Sequence, residues 1–242
     1  GLLEIDALAR IDVSLNGIQI GRRPGRLSRV AFAVDACAES AKRAVEAGAQ
    51  VLFVHHGLFW GQPYPVVGSL LERLRIFLDA DLALYACHLP LDKHPEIGHN
   101  AVLARNLGME RREPFGEYHG VDIGFKGRLP SPLTLDEVVK RVLPDGSRPM
   151  TLIPGKKAEI ETVAVISGGA AKEASQAIEQ GIDLYVTGEP SHNLYHTVVE
   201  SGMAFLAAGH YATEVWGLKA LAAKMAADTD LKTVFIDLPT GL

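Results

Sequence analysis

Two adjacent histidines follow an apolar run in the first third of the chain. Residues 51–54 are Val, Leu, Phe and Val, and His55, His56 and Gly57 come directly after them. Such a run is typical of a buried strand in a parallel sheet, and ligands of open α/β folds collect beyond the carboxyl ends of these strands. Because neighbouring side chains of an extended chain point to opposite faces, we predict that each histidine binds one of two adjacent metal ions.

A second pair of chemically suited residues lies near the end of the chain. His210 and Glu214 stand four residues apart, where residues 211–227 show helical spacing of apolar side chains, so one helical face carries both. Asp92 adds a second carboxylate. Imidazole and carboxylate together suit Zn²⁺, Mn²⁺ or Fe²⁺, and a carboxylate can bridge two cations that would otherwise repel each other. Glu214 is the predicted bridge, and such a pair of ions can activate water and hold a substrate oxygen.

These residues are positioned by what we interpret as an internal repeat. Residues 29–54 predict a strand, a helix closed by Gly48 and a second strand, and residues 163–187 repeat the pattern with Gly181. Each half then reaches another strand that ends in a His-x-x-x-carboxylate motif. His88 with Asp92 thereby corresponds to His210 with Glu214. The alternative is chance similarity between βαβ units, which are common in α/β proteins.

The repeat predicts the fold class and the domains. We expect an α/β protein of two linked, repeat-related domains with the metal site in the cleft between them. Residues 114–132 are rich in Gly, Pro and polar residues, with a short extended piece at residues 121–125. We place the boundary near residues 110–125, giving domains 1–112 and 113–242, and the last strands are free to pack back on the first domain.

Composition narrows the function classes. The 242 residues are 48% hydrophobic and 22% charged with a formal net charge of −5, which indicates a globular protein and argues against nucleic-acid binding. No apolar run approaches the ~20 residues of a membrane span, and the amino terminus lacks the layout of a secretion signal. Two cysteines rule out a disulfide scaffold, and we expect a cytoplasmic protein with Cys87 as a buried strand residue.

The remaining histidines and the glycine-rich turns have simpler interpretations. A histidine is more often a core or surface residue than a ligand, and we assign that role to His94, His99, His119, His192 and His196. His88 stands at a strand end, where it either orients a ligand or serves as a general acid or base. The turn at residues 187–191 suits an anion at its backbone N–H groups, or Ser191 simply caps a helix.

Five motifs together resemble those of the Ngg-interacting-factor-three-like proteins, also labelled GTP cyclohydrolase I type 2 homologues, which include the YbgI type. They are Asn16-Gly17-Ile18-Gln19, the segment 54–60 with His55 and His56, residues 88–92, residues 187–189 and residues 209–214. The resemblance spans nearly the whole chain. It implies two α/β domains, a dinuclear metal site between them and a ring-shaped homohexamer built from dimers.

On the family's pattern the metal ligands are His55, His56, Asp92, His210 and Glu214, with Glu214 bridging. His88 matches a family motif without being a family ligand, so its correspondence with His210 is structural rather than functional. The catalytic role that we predict for His88 follows from its place at a strand end. The first functional hypothesis is a hydrolase with two divalent ions, Zn, Mn or Fe, acting on a small nucleotide-, pterin- or phosphate-bearing substrate. The alternative is a non-catalytic metal-binding or metal-delivery scaffold of ring-shaped assembly.

Overall fold

The computed structural model describes residues 1–242, and its contacts divide the chain into two compact units. Unit 1 comprises Gly1–Leu91 and Leu218–Leu238, and unit 2 comprises Asp92–Gly217 and Pro239–Leu242. This division comes earlier than the sequence-based boundary between residues 112 and 113, because the helix His99–Leu107 packs Leu103, Ala104 and Leu107 into a core of unit 2.

The chain forms eleven strands, nine α-helices and three short 3₁₀ turns. The strands are β1 Gly17–Ile20, β2 Arg29–Asp35, β3 Val51–His56, β4 Ala83–Ala86, β5 Glu110–Tyr118, β6 Val121–Leu133, β7 Thr151–Ile153, β8 Ile160–Val165, β9 Leu184–Thr187, β10 Ala204–Ala207 and β11 Lys232–Phe235. The helices are α1 Ala38–Glu46, α2 Gly68–Asp79, α3 Leu89–Lys93, α4 His99–Leu107, α5 Leu135–Val142, α6 Ala174–Glu179, α7 Tyr195–Ser201, α8 His210–Glu214 and α9 Trp216–Asp228. None of the helices combines the length and the apolar character that crossing a membrane requires.

The strand order repeats between the two sheets. Sheet 1, in unit 1, has the order β1-β4-β3-β2-β11, and sheet 2, in unit 2, has the order β5-β6-β8-β9-β10-β7. In sheet 1 the strands β2, β3 and β4 run parallel, and β8, β9 and β10 do the same in sheet 2. An antiparallel edge strand also precedes each triplet in the chain. This strand is β1 in sheet 1, where it pairs with β4, and β7 in sheet 2, where it pairs with β10. The predicted two-fold α/β architecture is confirmed, and the repeat extends to an edge strand that the sequence analysis did not identify.

Glycines with left-handed backbone angles end the equivalent helices. Gly48 has a φ of +69° and Gly181 a φ of +67°, as expected for two residues that turn the chain from a helix into the following strand. At the other end of α1, Cys37 and Ser40 form a reciprocal cap, with Ser40 N–H donating to Cys37 Sγ over 3.3 Å and Cys37 N–H donating to Ser40 Oγ over 2.9 Å. These caps fix the start of β3 and therefore the place of His55 and His56.

The parallel strands are buried, as their apolar sequences predict. In β9, Leu184 and Val186 belong to one core cluster while Tyr185 belongs to another on the opposite face of sheet 2. Helices cover both faces of these strands, so every side chain of β9 is buried. In sheet 1, alternating residues of β2, β3 and β4 form a core with α1 and α2. The ends of these strands are consequently rigid places for polar side chains.

Two predicted local elements have different bounds in the structure. The extended piece expected at residues 121–125 is the start of the thirteen-residue strand β6, which pairs with β5 in a hairpin and with β8. The helix expected over residues 211–227 is divided at Val215 into α8 and α9. The division separates the short helix that carries His210 and Glu214 from a helix whose Leu218 and Leu221 are buried.

Asp183 joins the first two strands of the second repeat. Its Oδ2 accepts hydrogen bonds from the N–H groups of Glu161 and Thr162, both over 3.0 Å, and its Oδ1 lies 2.6 Å from Lys157 Nζ. Burial opposes ionisation, but the bonds from Lys157, Thr162 and Glu161 more than offset it and hold the pKa of Asp183 below its ordinary value. The carboxylate is therefore charged in the folded protein at neutral pH.

We expect Asp183→Asn to lower the free energy of unfolding by about 2 kcal/mol at pH 7, because the amide NH₂ would face either the backbone donors or the Lys157 ammonium group, and the charge that pairs with Lys157 is lost. Since the folded-state pKa is the lower one, the carboxylate stabilises above the unfolded pKa of about 4 and the benefit disappears as pH falls through the folded value. Urea unfolding at pH 7 and at low pH measures this. Asp228→Asn, in the exposed pair with Lys224, is the control and should change stability by less than about 0.5 kcal/mol.

Candidate metal centre

Both histidines at the end of β3 have their Nδ1 atoms bonded to protein oxygens. His55 Nδ1 lies 3.0 Å from the carbonyl oxygen of Cys87, and His56 Nδ1 lies 2.8 Å from Asp35 Oδ1. A carbonyl oxygen and an ionised carboxylate only accept hydrogen bonds, so Nδ1 carries the hydrogen in each ring. In the neutral tautomer the lone pair is then on Nε2, which is the arrangement of histidines that bind metal.

His88 joins these two residues to form a cluster of three imidazoles in unit 1. Its ring centroid is 4.9 Å from that of His55 and 5.7 Å from that of His56, and the three residues each offer a ligand atom within 4.8 Å of the others. The backbone N–H of His88 donates to Asn16 Oδ1 over 2.8 Å. Its Nδ1 lies 2.9 Å from Asp12 Oδ1, which gives this ring the same tautomer as the other two.

Asp12 is the anchor of His88. Its Oδ1 also accepts from Ser14 N–H over 2.9 Å, and its Oδ2 accepts from Asn16 Nδ2 over 2.7 Å and Leu89 N–H over 3.0 Å. Burial raises its pKa, but the hydrogen bond and charge of His88, with the bonds from Asn16 and Ser14, outweigh burial and leave the pKa below the ordinary value. Four donors around a buried side chain make Asp12 a fixed negative charge behind the imidazole.

We expect Asp12→Asn to lower the free energy of unfolding by about 2–3 kcal/mol, because the amide cannot satisfy four donors that converge on a carboxylate. Chemical denaturation followed by circular dichroism measures the change. Asp79→Asn at the exposed end of α2 is a matched control and should unfold like the wild type. Equal stability of Asp12→Asn and the control would show that the network does not anchor this region.

The first motif of the chain holds the loop that follows the histidines. Gln19 Oε1 accepts hydrogen bonds from Leu58 N–H over 2.7 Å and Phe59 N–H over 3.3 Å. The amide of Gln19 lies so close to Gly57 that a Cβ there would overlap it. Glycine after the two histidines therefore provides space for a clamp from β1, and this explains why Gln19 and Gly57 occur together.

In unit 2, the equivalent strand ends carry His210 between two carboxylates. His210 Nδ1 lies 2.6 Å from Glu189 Oε1, and its Nε2 lies 3.2 Å from Oε1 of the buried Glu214. Burial opposes protonation of the ring, but the hydrogen bonds and charges of Glu214 and Glu189 outweigh it and raise the pKa of His210 to about 9. The two carboxylates therefore favour the protonated, positively charged form of the ring.

Gly168 provides room for the Glu214 carboxylate. Its φ is +67°, and a Cβ there would overlap Glu214 Oε1. The loop is tied to α8 because Gly168 N–H donates to Thr213 Oγ1 over 3.0 Å, and to β9 because its carbonyl accepts from Gly188 N–H over 2.9 Å. This glycine turn thus shapes the pocket of a carboxylate ligand candidate.

Asp92 is oriented by residues of unit 2 that the sequence analysis missed. Ser167 Oγ donates to Asp92 Oδ1 over 2.8 Å, and Ser167 N–H donates to Asn100 Oδ1 over 2.7 Å. A nitrogen of His99 lies within 4.8 Å of an Asp92 oxygen. Since His99 Nδ1 accepts from Gly217 N–H over 3.0 Å, the neutral ring carries its hydrogen on Nε2.

The structure therefore groups the predicted residues within each unit. His55, His56 and His88 form one cluster and His210 with Glu214 another, while the predicted cleft site that unites them with Asp92 stays a prediction.

His94 accepts from the N–H groups of Glu96 and Ile97, each over 3.2 Å, which is a local structural role. His192 and His196 are exposed, and Ser191 makes no side-chain cap.

The missed residues are the hydrogen-bond partners of the candidate ligands and of His88. They are Asp12, Asp35, Ser167 and Glu189. Two of these residues have positions in the sequence that could have identified them. Asp35 ends β2, and Glu189 aligns with His56 when the two halves of the repeat are compared. Asp12 is 76 residues from His88 and precedes β1, so only the fold brings the two together.

Comparisons with known proteins agree with this fold. The model of the Duf34/NIF3 (NGG1p interacting factor 3) family matches residues 3–240. A protein of Halobacterium salinarum named GTP cyclohydrolase 1 type 2 homolog is 43% identical over 96% of this chain and 92% of its own. A Treponema pallidum protein with the same name is 40% identical with the same coverage.

Two solved structures are similar along their full length. The ybgI protein, described as of unknown function, has a TM-score of 0.89 at 33% identity and covers 99% of this chain and 95% of its own. TTHA1606 from Thermus thermophilus has a TM-score of 0.87 at 40% identity, with coverage of 100% and 95%. With the family model matching nearly every residue and the histidine motifs in place, this chain belongs to the Duf34/NIF3 family.

Proposed function

We propose that this protein is a metal-dependent hydrolase that binds two divalent transition-metal ions per chain, Zn, Mn or Fe. Its substrate is a small molecule with nucleotide-, pterin- or phosphate-like groups. The proposed ligands are His55, His56, Asp92, His210 and Glu214, with Glu214 shared between the ions. This set combines three neutral nitrogen donors with two carboxylates, which suits these three metals alike.

The observation that carries the proposal is the shared hydrogen bonding of the histidines. In His55, His56 and His210 the Nδ1 atom lies within 3.0 Å of a carbonyl or carboxylate oxygen. Metal-binding histidines in proteins characteristically have such a partner, which fixes the ring and makes Nε2 the donor atom. Three independent partners, Cys87 O, Asp35 and Glu189, produce the same result, so the donor set fits a metal site.

The ions and the protein have separate chemical tasks. A bound divalent ion polarises a phosphoryl or carbonyl oxygen and makes water more acidic. His88 holds or moves a proton at Nε2, because the Asp12 carboxylate keeps the other hydrogen on Nδ1. Asn16 fixes the backbone of His88. The imidazole is thereby oriented as a general acid or base beside the candidate ligands.

The assembly and location are part of the same proposal. We propose that this protein forms a ring-shaped homohexamer, a trimer of dimers, in the cytoplasm. The basis is that the chain belongs to the family and that the family resemblance implies this assembly. Multi-angle light scattering at working concentration tests it. A mass near six chains of 26.0 kDa supports the hexamer, and a monomer contradicts it.

A turnover screen with matched protein samples tests the hydrolase proposal. Wild-type protein and Glu214→Ala, each treated with Zn²⁺, Mn²⁺ or Fe²⁺, are incubated with nucleotides, pterins and phosphoesters, and products are separated by chromatography. The relatives' name makes GTP the first nucleotide of the panel. We expect turnover only by the wild type. Identical behaviour of both proteins would reject the hydrolase, and metal transfer to an acceptor protein would then identify a delivery scaffold.

A further inference from the structure

A tryptophan lies against the imidazole cluster of unit 1. The Trp60 ring centroid is 5.1 Å from that of His88, with the rings nearly perpendicular at 78°, and 5.8 Å from that of His56. Trp60 is half-buried. An aromatic surface therefore adjoins a proposed metal ligand and the proposed general acid or base.

The indole is held in place before any ligand binds. Trp60 Nε1–H donates to the carbonyl oxygen of Gly57 over 2.9 Å. The adjacent residue is fixed as well, because Leu15 N–H donates to the carbonyl oxygen of Phe59 over 3.0 Å, in addition to the clamp from Gln19. A ring that is already ordered loses little conformational entropy when a ligand stacks on it.

We infer that Trp60 is a specificity residue that stacks a planar heteroaromatic ring of the substrate, so that the substrate class of the proposed hydrolase is ring-bearing rather than a simple phosphoester. This inference rests on the proposed function. Its Nε1–H is already bonded to Gly57, so Trp60 offers its π-surface rather than a hydrogen bond. Stacking on such a surface accepts any planar heterocycle, whereas an aliphatic phosphoester has no ring to place there.

Two of the side chains in the proposed site, His56 and His88, lie next to the Trp60 ring. A ring stacked on Trp60 places its substituents beside His56 and His88, whose centroids are 5.8 and 5.1 Å from the indole. The indole thus supplies binding energy at a point where the reacting group meets ionisable side chains. This is the arrangement in which binding energy orients the reaction.

Calorimetric titration of the metal-treated protein with two probes tests the inference. Guanosine 5′-monophosphate carries a planar ring, and ribose 5-phosphate carries a hydroxyl group in place of that ring. We expect the wild type to bind the nucleotide about 5- to 150-fold more tightly, the range that corresponds to one stacked base. Trp60→Leu should reduce this ratio to within about twofold, while Trp60→Phe, which keeps an aromatic ring, retains a measurable preference.

Tyr64→Leu is the matched control, since Tyr64 is an aromatic residue of the same loop that is 45% exposed. It should keep the wild-type ratio. Equal binding of both probes by the wild type, binding of neither, or an unchanged preference in Trp60→Leu overturns the inference. Metal content distinguishes failure of this inference from failure of the proposed function. If the wild type binds no metal, the proposed hydrolase function fails. Titration of the wild type, Trp60→Phe and Trp60→Leu with guanosine alone then still decides the role of Trp60.

Discussion

Replacing Glu214 with glutamine is expected to weaken metal binding by more than about 100-fold. This loss is larger than the one usually seen when a residue that hydrogen-bonds to a metal ligand is removed. Glutamine preserves the size of the side chain in the space beside Gly168, so folding should be retained. The amide has no charge and only one oxygen, and it cannot be shared between two cations. Metal affinity measured by competition with a chelator, together with elemental analysis, gives the result.

Two glutamate variants make this a graded comparison. Glu189→Gln removes the partner of His210 Nδ1 and should cost about 10- to 100-fold in affinity. Glu179→Gln, at the exposed end of α6, should leave metal binding unchanged. If Glu214→Gln retained the affinity of the Glu179 variant, Glu214 would not be a ligand and the shared-carboxylate site would be wrong.

Replacing His88 with glutamine is expected to lower turnover by about 10²- to 10⁴-fold, the range for removal of a general acid or base. The metal content should stay at the wild-type value, because His88 is proposed to move a proton and not to bind an ion. The rate constant under saturating substrate and the metal content of the same sample are the two measurements. Glutamine offers hydrogen bonds to the Asp12 carboxylate but has no group that titrates near neutrality.

The metal content decides between the two roles that the geometry of His88 permits. His55, His56 and His88 could together hold an ion. Loss of metal in His88→Gln would therefore make it a ligand and contradict its role as acid or base. His192→Gln, on the exposed surface of unit 2, controls for the general effect of removing a histidine and should keep full activity.

Much of the fold was predictable because the buried parallel strands have continuous apolar sequences. The strands at residues 51–54 and 184–187 and their glycine-terminated helices were recognised from these patterns. The hairpin β5–β6 was not, because the exposed, polar strand β5 lacks an apolar run. The edge strand β7 has only three residues, Thr151–Ile153, and offers too little pattern to be identified without its partner β10.

The candidate ligands were likewise recognised from type and spacing, but their supporting residues were not. His55 and His56 stand together at a strand end, and His210 with Glu214 has helical spacing. The contact of Asp12 with His88 and the contact of Ser167 with Asp92 each span more than 70 residues, so only the folded chain brings these residues together. His99 is predicted to be structural, and its Nδ1 accepts a hydrogen bond from Gly217 N–H.

Elemental analysis of the purified wild-type protein tests the central claim most directly. The protein is reconstituted anaerobically with Zn²⁺, Mn²⁺ or Fe²⁺, passed through a desalting column and measured for metal per chain alongside His55→Ala. We predict about two ions per wild-type chain, as a dinuclear hydrolase requires, and a lower content in the variant. A wild-type chain that retains no metal under any of these conditions would contradict the account.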